Sequence, residues 1–306
     1  MQKKRSKYAR MTLNDRIFDV VNYTALGLLL LVFIAPLMNV ISSSFSDPDM
    51  IAGGKVWLLP KGFTLEGYQE VRQMDKIWIG YANSVYYTVV GTLANLIVTI
   101  MCAYPLSKRD LVGRNFIMGI FSFTMFFGGG LVPTFMLVRS LGLLDTRAAL
   151  ILPGLMSVYN MIIARTFFST SIPSDLYDAA EIDGCNEFST LIRIVIPLSA
   201  PIIAVLGLYY AVAHWNSYFS GLIYLSDSSK YPLQLVLRDF LLSQQSWDDM
   251  LTSASAEMQA EIVEQMKKRE QLRYVVIVVA ALPMCMLYPF IQKFFIKGVM
   301  VGAIKG

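Results

Sequence analysis

The feature that most restricts this chain is the recurrence of long apolar runs with almost no charge. A hydrocarbon core about 30 Å thick is crossed by roughly 20 helical residues, and about six runs of that length recur, approximately Val20 to Ile41, Tyr81 to Leu106, Phe116 to Val138, Ala148 to Phe168, Pro201 to Leu225 and Tyr274 to Ile296. Lipid offers a backbone no hydrogen-bond partners, so each run must satisfy its own as a helix, and the short alternating strands of a barrel are not seen. The expected fold is all-α, a polytopic membrane helical bundle. Composition agrees: 16% of the 306 residues are charged, against roughly 25% in soluble domains. Disorder is excluded by the apolar content. A disulfide scaffold is excluded by 3 Cys, since Cys102 and Cys285 lie in apolar runs, Cys185 in a polar loop, and no CxxC or His/Cys spacing suggests a metal.

Charge placement sets the expected orientation. The first run follows Lys3, Lys4, Arg5, Lys7, Arg10 and Arg16, like the basic start of a secretory signal, but it exceeds the 7–15 apolar residues typical of one and lacks a small-x-small site behind it. It reads as a retained first helix with a cytoplasmic N-terminus. Lys108, Arg109 and Arg114 after the second run, and Lys293, Lys297 and Lys305 after the last, put the same side and both termini in the cytoplasm. The expected organisation is a cytoplasmic segment 1–19, a transmembrane domain 20–296 with a cytoplasmic loop 171–199 and an extracytoplasmic loop 226–273, and a cytoplasmic tail 297–306.

The loop 171–199 breaks the positive-inside pattern, with Asp175, Asp178, Glu181, Asp183 and Glu187 against Arg193 alone. An acidic excess suits a protein partner better than anionic lipid, though a solvated loop would read the same way. Ser174 after Pro173 predicts an N-cap, Asp175 suits the first turn, and Gly184 can take the positive φ of a helix end. Ala179, Ala180 and Gly184 give one side on which a groove wall could come close. A second short helix, Asn186 to Ile194, leads to Pro197, where the next membrane helix can begin.

The pattern Asp-Ala-Ala-x3-Gly-x9-Ile-x-Ile-Pro, from Asp178 to Pro197, resembles the EAA loop of ABC importer permeases, whose usual form is Glu-Ala-Ala-x3-Gly-x9-Ile-x-Leu-Pro. This chain differs in Asp178, Cys185 and Ile196, each close in charge or size to the usual residue. Asn83-Ser84, Ala103 to Lys108, Leu141 to Thr146, Ile172-Pro173, His214-Trp215-Asn216 and the tail Gln292 to Gly306 extend the resemblance to the carbohydrate-uptake permeases of the maltose or multiple-sugar type, in particular to the second permease of a heterodimeric pair. The run Phe126 to Pro133 is similar to a subgroup found beside polysaccharide-utilisation enzymes.

That resemblance implies a type I ABC importer permease in the bacterial plasma (inner) membrane, forming half of a translocation path for an oligosaccharide or related sugar. Its partners would be a second permease, two ABC ATPase subunits, an extracytoplasmic solute-binding protein and the lipid bilayer, with no nucleic acid. Asp178, Ala179, Ala180, Glu181, Asp183, Gly184, Ile194 and Pro197 would form the ATPase-coupling loop. No cofactor is expected in this chain, because ATP and Mg would be bound by the ATPase: no Gly-x4-Gly-Lys-Ser/Thr occurs, and Gly53-Gly54-Lys55-Val56 lacks its spacing and hydroxyl. No catalytic residue is expected either, since His214, the only histidine, has no carboxylate nearby in sequence.

Other readings are a permease for a non-sugar solute or a membrane carrier without an ATPase partner; a channel or a membrane enzyme also fits hydropathy alone. Ion-coupled carriers rely on ionisable residues inside the membrane, and these runs hold almost none: Arg165 can snorkel and His214 reads as a packed residue. Asn83, Asn95, Trp215, Asn216 and Tyr218 could line a sugar path through amide hydrogen bonds and aromatic faces, or could serve as interhelical glue. Gly128, Gly129 and Gly130 read as a close-packing site rather than a helix break. The loop 226–273 is too polar to span. Glu257, Glu261, Glu264, Lys267 and Lys268 make its second half a solvated helix, and Trp247, within Leu241 to Thr252, is the candidate contact with a binding protein.

Overall fold

A computed structural model of the protein describes residues 12–242 and 255–303. All its regular elements there are helical: α1 (Leu13–Ser44), α2 (Pro48–Ala52), α3 (Glu66–Gln73), α4 (Asp75–Ser107), α5 (Arg114–Phe126), α6 (Leu131–Ser140), α7 (Val158–Ser171), α8 (Ser174–Ile182), α9 (Glu187–Thr190), α10 (Ile196–Leu198), α11 (Ala200–Trp215), α12 (Tyr218–Tyr224), α13 (Leu233–Leu242) and α14 (Ala256–Ala303). The chain forms two units, 1–73 with 244–279, and 74–243 with 280–306. Trp247, most of the Leu241 to Thr252 segment, the basic residues Lys3 to Arg10 and Lys305 lie outside the described residues.

In the first unit, α1 starts with a capping box: the Asp15 amide donates to the Thr12 hydroxyl, and the Thr12 amide to the Asp15 carboxylate (3.3 and 2.9 Å). Along its 32 residues only Ser42, Ser43 and Ser44 are buried, so apolar side chains are exposed all round it, as on a helix surrounded by lipid. Glu264 and Lys268 pair one turn apart at 3.2 Å on an exposed face of α14, in keeping with the helix expected there. That helix is not solvated all round, however. Ile262, Gln271, Leu272, Val275 and Val276 are buried, Gln271 donates to the Ser46 carbonyl at 3.0 Å, and Lys267 reaches Asp49 at 2.6 Å. The polar segment and the sixth apolar run are one helix, whose span-like stretch begins at Glu261.

The second unit is organised on α4, 33 residues without a break. Its buried face carries Gly80, Ser84, Thr88, Gly91, Asn95, Thr99 and Ala103, three or four residues apart, while Val85, Val89, Leu93, Ile97 and Met101 are exposed. This reverses the soluble pattern. Apolar side chains gain nothing by leaving lipid, so small residues that permit close backbone approach, and polar residues that bond across helices, take the inner face. α7, α11 and α13 pack against it. One core joins Ile100, Ala103, Tyr104, Met161, Phe168 and Leu206; a second joins Tyr87, Val138, Leu150 and Tyr224.

Three helices, α1, α4 and the Glu261–Leu287 part of α14, are long and apolar enough to span a membrane, and three bent pairs complete six. The fold is an all-α membrane bundle. The bends depart from the expectation of simple spans: α5 and α6 meet at 111°, Arg147–Gly154 and α7 at 52°, Glu187–Leu198 and α11 at 83°. At the first bend Gly130 has φ +82, and a Cβ would meet nothing within 4 Å at Gly128 or Gly130 and only Pro133, at 3.9 Å, at Gly129. The three glycines are therefore a helix break, with no crowding from the described chain: the positive φ asks for glycine at position 130.

Candidate functional site

The acidic loop folds into two helical pieces about Gly184. Helix α8 begins one residue earlier than its sequence suggests: Pro173 takes the cap position with extended backbone and no side-chain bond, and Ser174 is the first helical residue. The C-terminus closes as a Schellman motif. Gly184, at φ +74, donates to the Glu181 carbonyl at 3.0 Å, and Cys185 donates to the Ala180 carbonyl at 2.9 Å. Asp178, Ala179, Glu181, Ile182, Asp183 and Gly184 are exposed, with Ile182 at 86%, and only Ala180 is buried. The result is an acidic surface with an apolar tip that nothing else in the described chain covers.

Asn186 caps the second piece by accepting from the Ser189 amide at 2.8 Å. This piece continues through a π turn, Leu191–Val195, into α10, so the helix expected over Asn186 to Ile194 runs on to Leu198. Ile194 is half-buried and Pro197 exposed; the change of direction comes at Ser199, and α11 follows. Glu187 accepts from Lys108 and, at 2.5 Å, from the Tyr104 hydroxyl. These bonds, that of Lys108 foremost, hold its carboxyl below the usual carboxylate range.

The residues proposed for a sugar path separate into two groups. Asn83 donates to the carbonyls of Ser229 (2.8 Å) and Tyr231 (3.1 Å) and accepts from Arg147 at 3.1 Å, while Trp215 donates to Ala280 at 3.2 Å. Both are engaged in holding the bundle together. Asn95 donates to the Gly154 carbonyl at 2.6 Å, which leaves its oxygen facing His214 Nε2, also at 2.6 Å. That oxygen can only accept, so Nε2 carries the imidazole proton.

Asn95, His214 and Asn216 also line a cleft of about 530 Å³ with mixed polar and apolar walls, together with Asn160, Tyr209 and Ser217. The Ser217 hydroxyl is buried beside it and has no hydrogen-bond partner among the described residues. Tyr218 and Asn216 are exposed, and Asn216 bonds back to Val212 at 2.9 Å. Asn160, Tyr209 and Ser217 were not legible from the sequence, because α7 and α11 must first be placed side by side.

A further cluster was also missed. Asp145, in the left-handed region at φ +55, accepts the amides of Ser226 (3.1 Å) and Asp227 (3.0 Å), and Lys230 bridges Asp145 and Asp227 at 3.3 and 3.2 Å. Backbone amides hold Asp145 below its usual range, hydrogen bonds from Ser229 lower Asp227 to about 2, and Asp227 raises Lys230.

Residues 95–301 match the model of the family described as "Binding-protein-dependent transport system inner membrane component". The chain is 40% identical over 295 residues, 96% of its length and 100% of the relative's, to a Bacillus subtilis protein named polygalacturonan/rhamnogalacturonan transport system permease protein YtcP. It is 27% identical, over 92% of its own length and 95% of the relative's, to the arabinooligosaccharides transport system permease protein AraQ of Halalkalibacterium halodurans. Among solved structures it resembles a chain of a bacterial ABC transporter involved in the import of the acidic polysaccharide alginate, with TM-score 0.83, 32% identity, and 93% and 99% of the two chains covered. The chain belongs to the family of binding-protein-dependent inner membrane transport components. It is an ABC importer permease, a transport subunit rather than an enzyme, of a kind that works with an ATPase and a binding protein.

Proposed function

We propose that this chain is one of two different permease subunits of a carbohydrate importer, assembled with two ATPase subunits and an extracytoplasmic binding protein, with both of its termini in the cytoplasm. Relatives named for polygalacturonan, rhamnogalacturonan and alginate favour oligosaccharides that carry uronate groups. The observation that carries the reading is α8: a short helix with an exposed acidic face and an exposed Ile182, closed by a glycine in the left-handed conformation and joined through α9 to the end of α4. A helix whose acidic face and apolar tip the rest of the described chain leaves uncovered suits a cleft on another protein, and rigid-body motion of that protein can then reach the spans.

The cleft supports a carbohydrate route. Its volume is within the usual range for small-molecule sites, and its amides and phenols match the donor and acceptor pattern of a sugar. A cysteine at Glu181, introduced into the assembled transporter, should cross-link to the ATPase and to neither the binding protein nor lipid-phase probes. Lipid-phase labelling without an ATPase adduct would put α8 elsewhere and overturn the reading.

A further inference from the structure

If α8 is pushed by a partner, the push must reach the helices that line the cleft, and the covalent route is poorly built for this. Between α8 and α11 the chain passes the left-handed turn at Gly184, a π turn at Leu191–Val195 and an 83° bend at Ser199. At the first and the last of these the chain changes direction, so one helical segment can swing against the next there. α4 is the contrasting element, one unbroken helix that carries Asn95 and packs on α7, α11 and α13.

The C-terminal end of α4 touches the loop on both sides of Gly184. Lys108, its C-cap residue, places Nζ 5.1 Å from the ring centre of Tyr104 and 5.4 Å from that of Tyr177, and bonds Glu187. Tyr177 belongs to α8, and Glu187 is the first residue of α9. Tyr104 is 6% exposed, and its hydroxyl completes the Glu187 carboxylate's contacts, so one ammonium and one phenol of α4 hold both helical pieces. The anchor is itself fixed, because Arg165 donates to the Leu106 carbonyl at 2.9 Å and Arg114 to the Lys108 carbonyl at 3.3 Å, which caps the end of α4 from α7 and α5. Clefts lie on either side, one lined by Met101, Leu111 and Phe188, the other by Ser169, Glu181 and Cys185. The cluster thus sits at the edge of the core that holds Tyr104, Leu106, Leu191 and Val195, against which Tyr177 also packs, with an opening on each side of its polar contacts.

We infer that Lys108 is the positioning residue that joins the acidic loop to α4, together with Tyr104, Tyr177 and Glu187, so that displacement of α8 is delivered to α4 and its cleft residues directly. This rests on the reading of α8 as the ATPase-facing helix. Loss of the joint leaves the ATPase docked on α8 and able to hydrolyse ATP, but less of that motion moves α4.

The test uses the complete transporter in proteoliposomes and reads substrate taken up per ATP hydrolysed, beside the amount of ATPase that co-purifies. Lys108→Gln should lower that ratio about tenfold with the ATPase still bound, the order of effect expected for one coupled group of contacts. Lys108→Arg, which keeps both the carboxylate bond and the stacking on the phenols, should restore most of it. An unchanged ratio in Lys108→Gln would overturn the inference, as would a loss of uptake and ATPase in step with loss of assembled complex, since a merely structural residue would act that way. Gly184→Trp separates the two claims: uncoupling by Gly184→Trp but not by Lys108→Gln removes only the joint, whereas normal coupling in both removes the role of α8 as well.

Discussion

Gly91→Ala adds a single methyl group to the buried face of α4, and the structure gives it no room. A Cβ there would sit 2.4 Å from His214 Nε2, 2.5 Å from Cε1 and 2.7 Å from Cδ2, closer than any real contact. Helix propensity favours the substitution by about 1 kcal/mol. Against this stand overpacking, about 1–3 kcal/mol, and the displaced hydrogen bond between His214 and Asn95, about 0.6–1.7 kcal/mol for a bond between membrane helices. Sterics win, and the expected net destabilisation is about 1–4 kcal/mol. Reversible unfolding of the purified chain in mixed micelles measures it. The ring is the obstacle, so in a His214→Ala background the added methyl should be neutral or stabilising by up to about 1 kcal/mol, with an interaction energy of about 1–5 kcal/mol in the double-mutant cycle. A Gly91→Ala protein as stable as the parent, or equal costs in both backgrounds, would refute the packing of α11 on α4 through this histidine.

Gly184→Ala should cost about 1–2 kcal/mol locally through its positive φ alone, because no atom lies within 4 Å of the new Cβ; an amide-exchange increase confined to residues 180–186 is the readout. Asn95→Leu should leave the Gly154 carbonyl and the His214 N–H without partners and lower stability by about 1–3 kcal/mol, measured by the same unfolding assay. For the Asp145, Asp227 and Lys230 cluster, depressed carboxyl values mean that its stabilising contribution is present above the ordinary aspartate value near 3.8 and is lost as pH falls through about 2. The raised Lys230 contributes below its ordinary value of 10.5 and loses its effect as pH rises through the folded one. Amide protection over residues 226–231 should then be flat between about pH 5 and pH 9 and fall in Asp145→Ala.

The bundle and the acidic loop were legible because each rests on a local signal. A run such as Tyr81 to Leu106 is long enough to span whatever surrounds it, and the spacing from Asp178 to Pro197 is carried by consecutive residues. The bends were not legible, since a hydropathy window averages over a break: Gly130 and Ser199 interrupt helices without changing the apolar content around them. The segment 226–242 read as part of a polar loop, yet Leu233, Leu235 and Leu237 are buried, and the Leu233 amide donates to Ser84 at 2.8 Å. These leucines stand two residues apart on a short helix and so are buried on more than one side of it, and averaging with Arg238 and Asp239 conceals them. Polar residues inside the apolar runs were recognised as either path or glue, and only the pairing of distant segments, as between Asn83 and Ser229, distinguishes the two uses.

The central claim is that this chain carries a carbohydrate across the membrane only when an ATPase acts on its acidic loop. Its most direct measurement is uptake of a labelled oligogalacturonate by proteoliposomes that hold the chain, its partner permease and the ATPase, with the binding protein outside and ATP within. The account predicts uptake that needs ATP and the binding protein, is abolished by Gly184→Trp without loss of the protein from the membrane, and is absent when the ATPase is omitted. Uptake that persists without the ATPase, or hydrolysis of ATP by this chain alone, would contradict it.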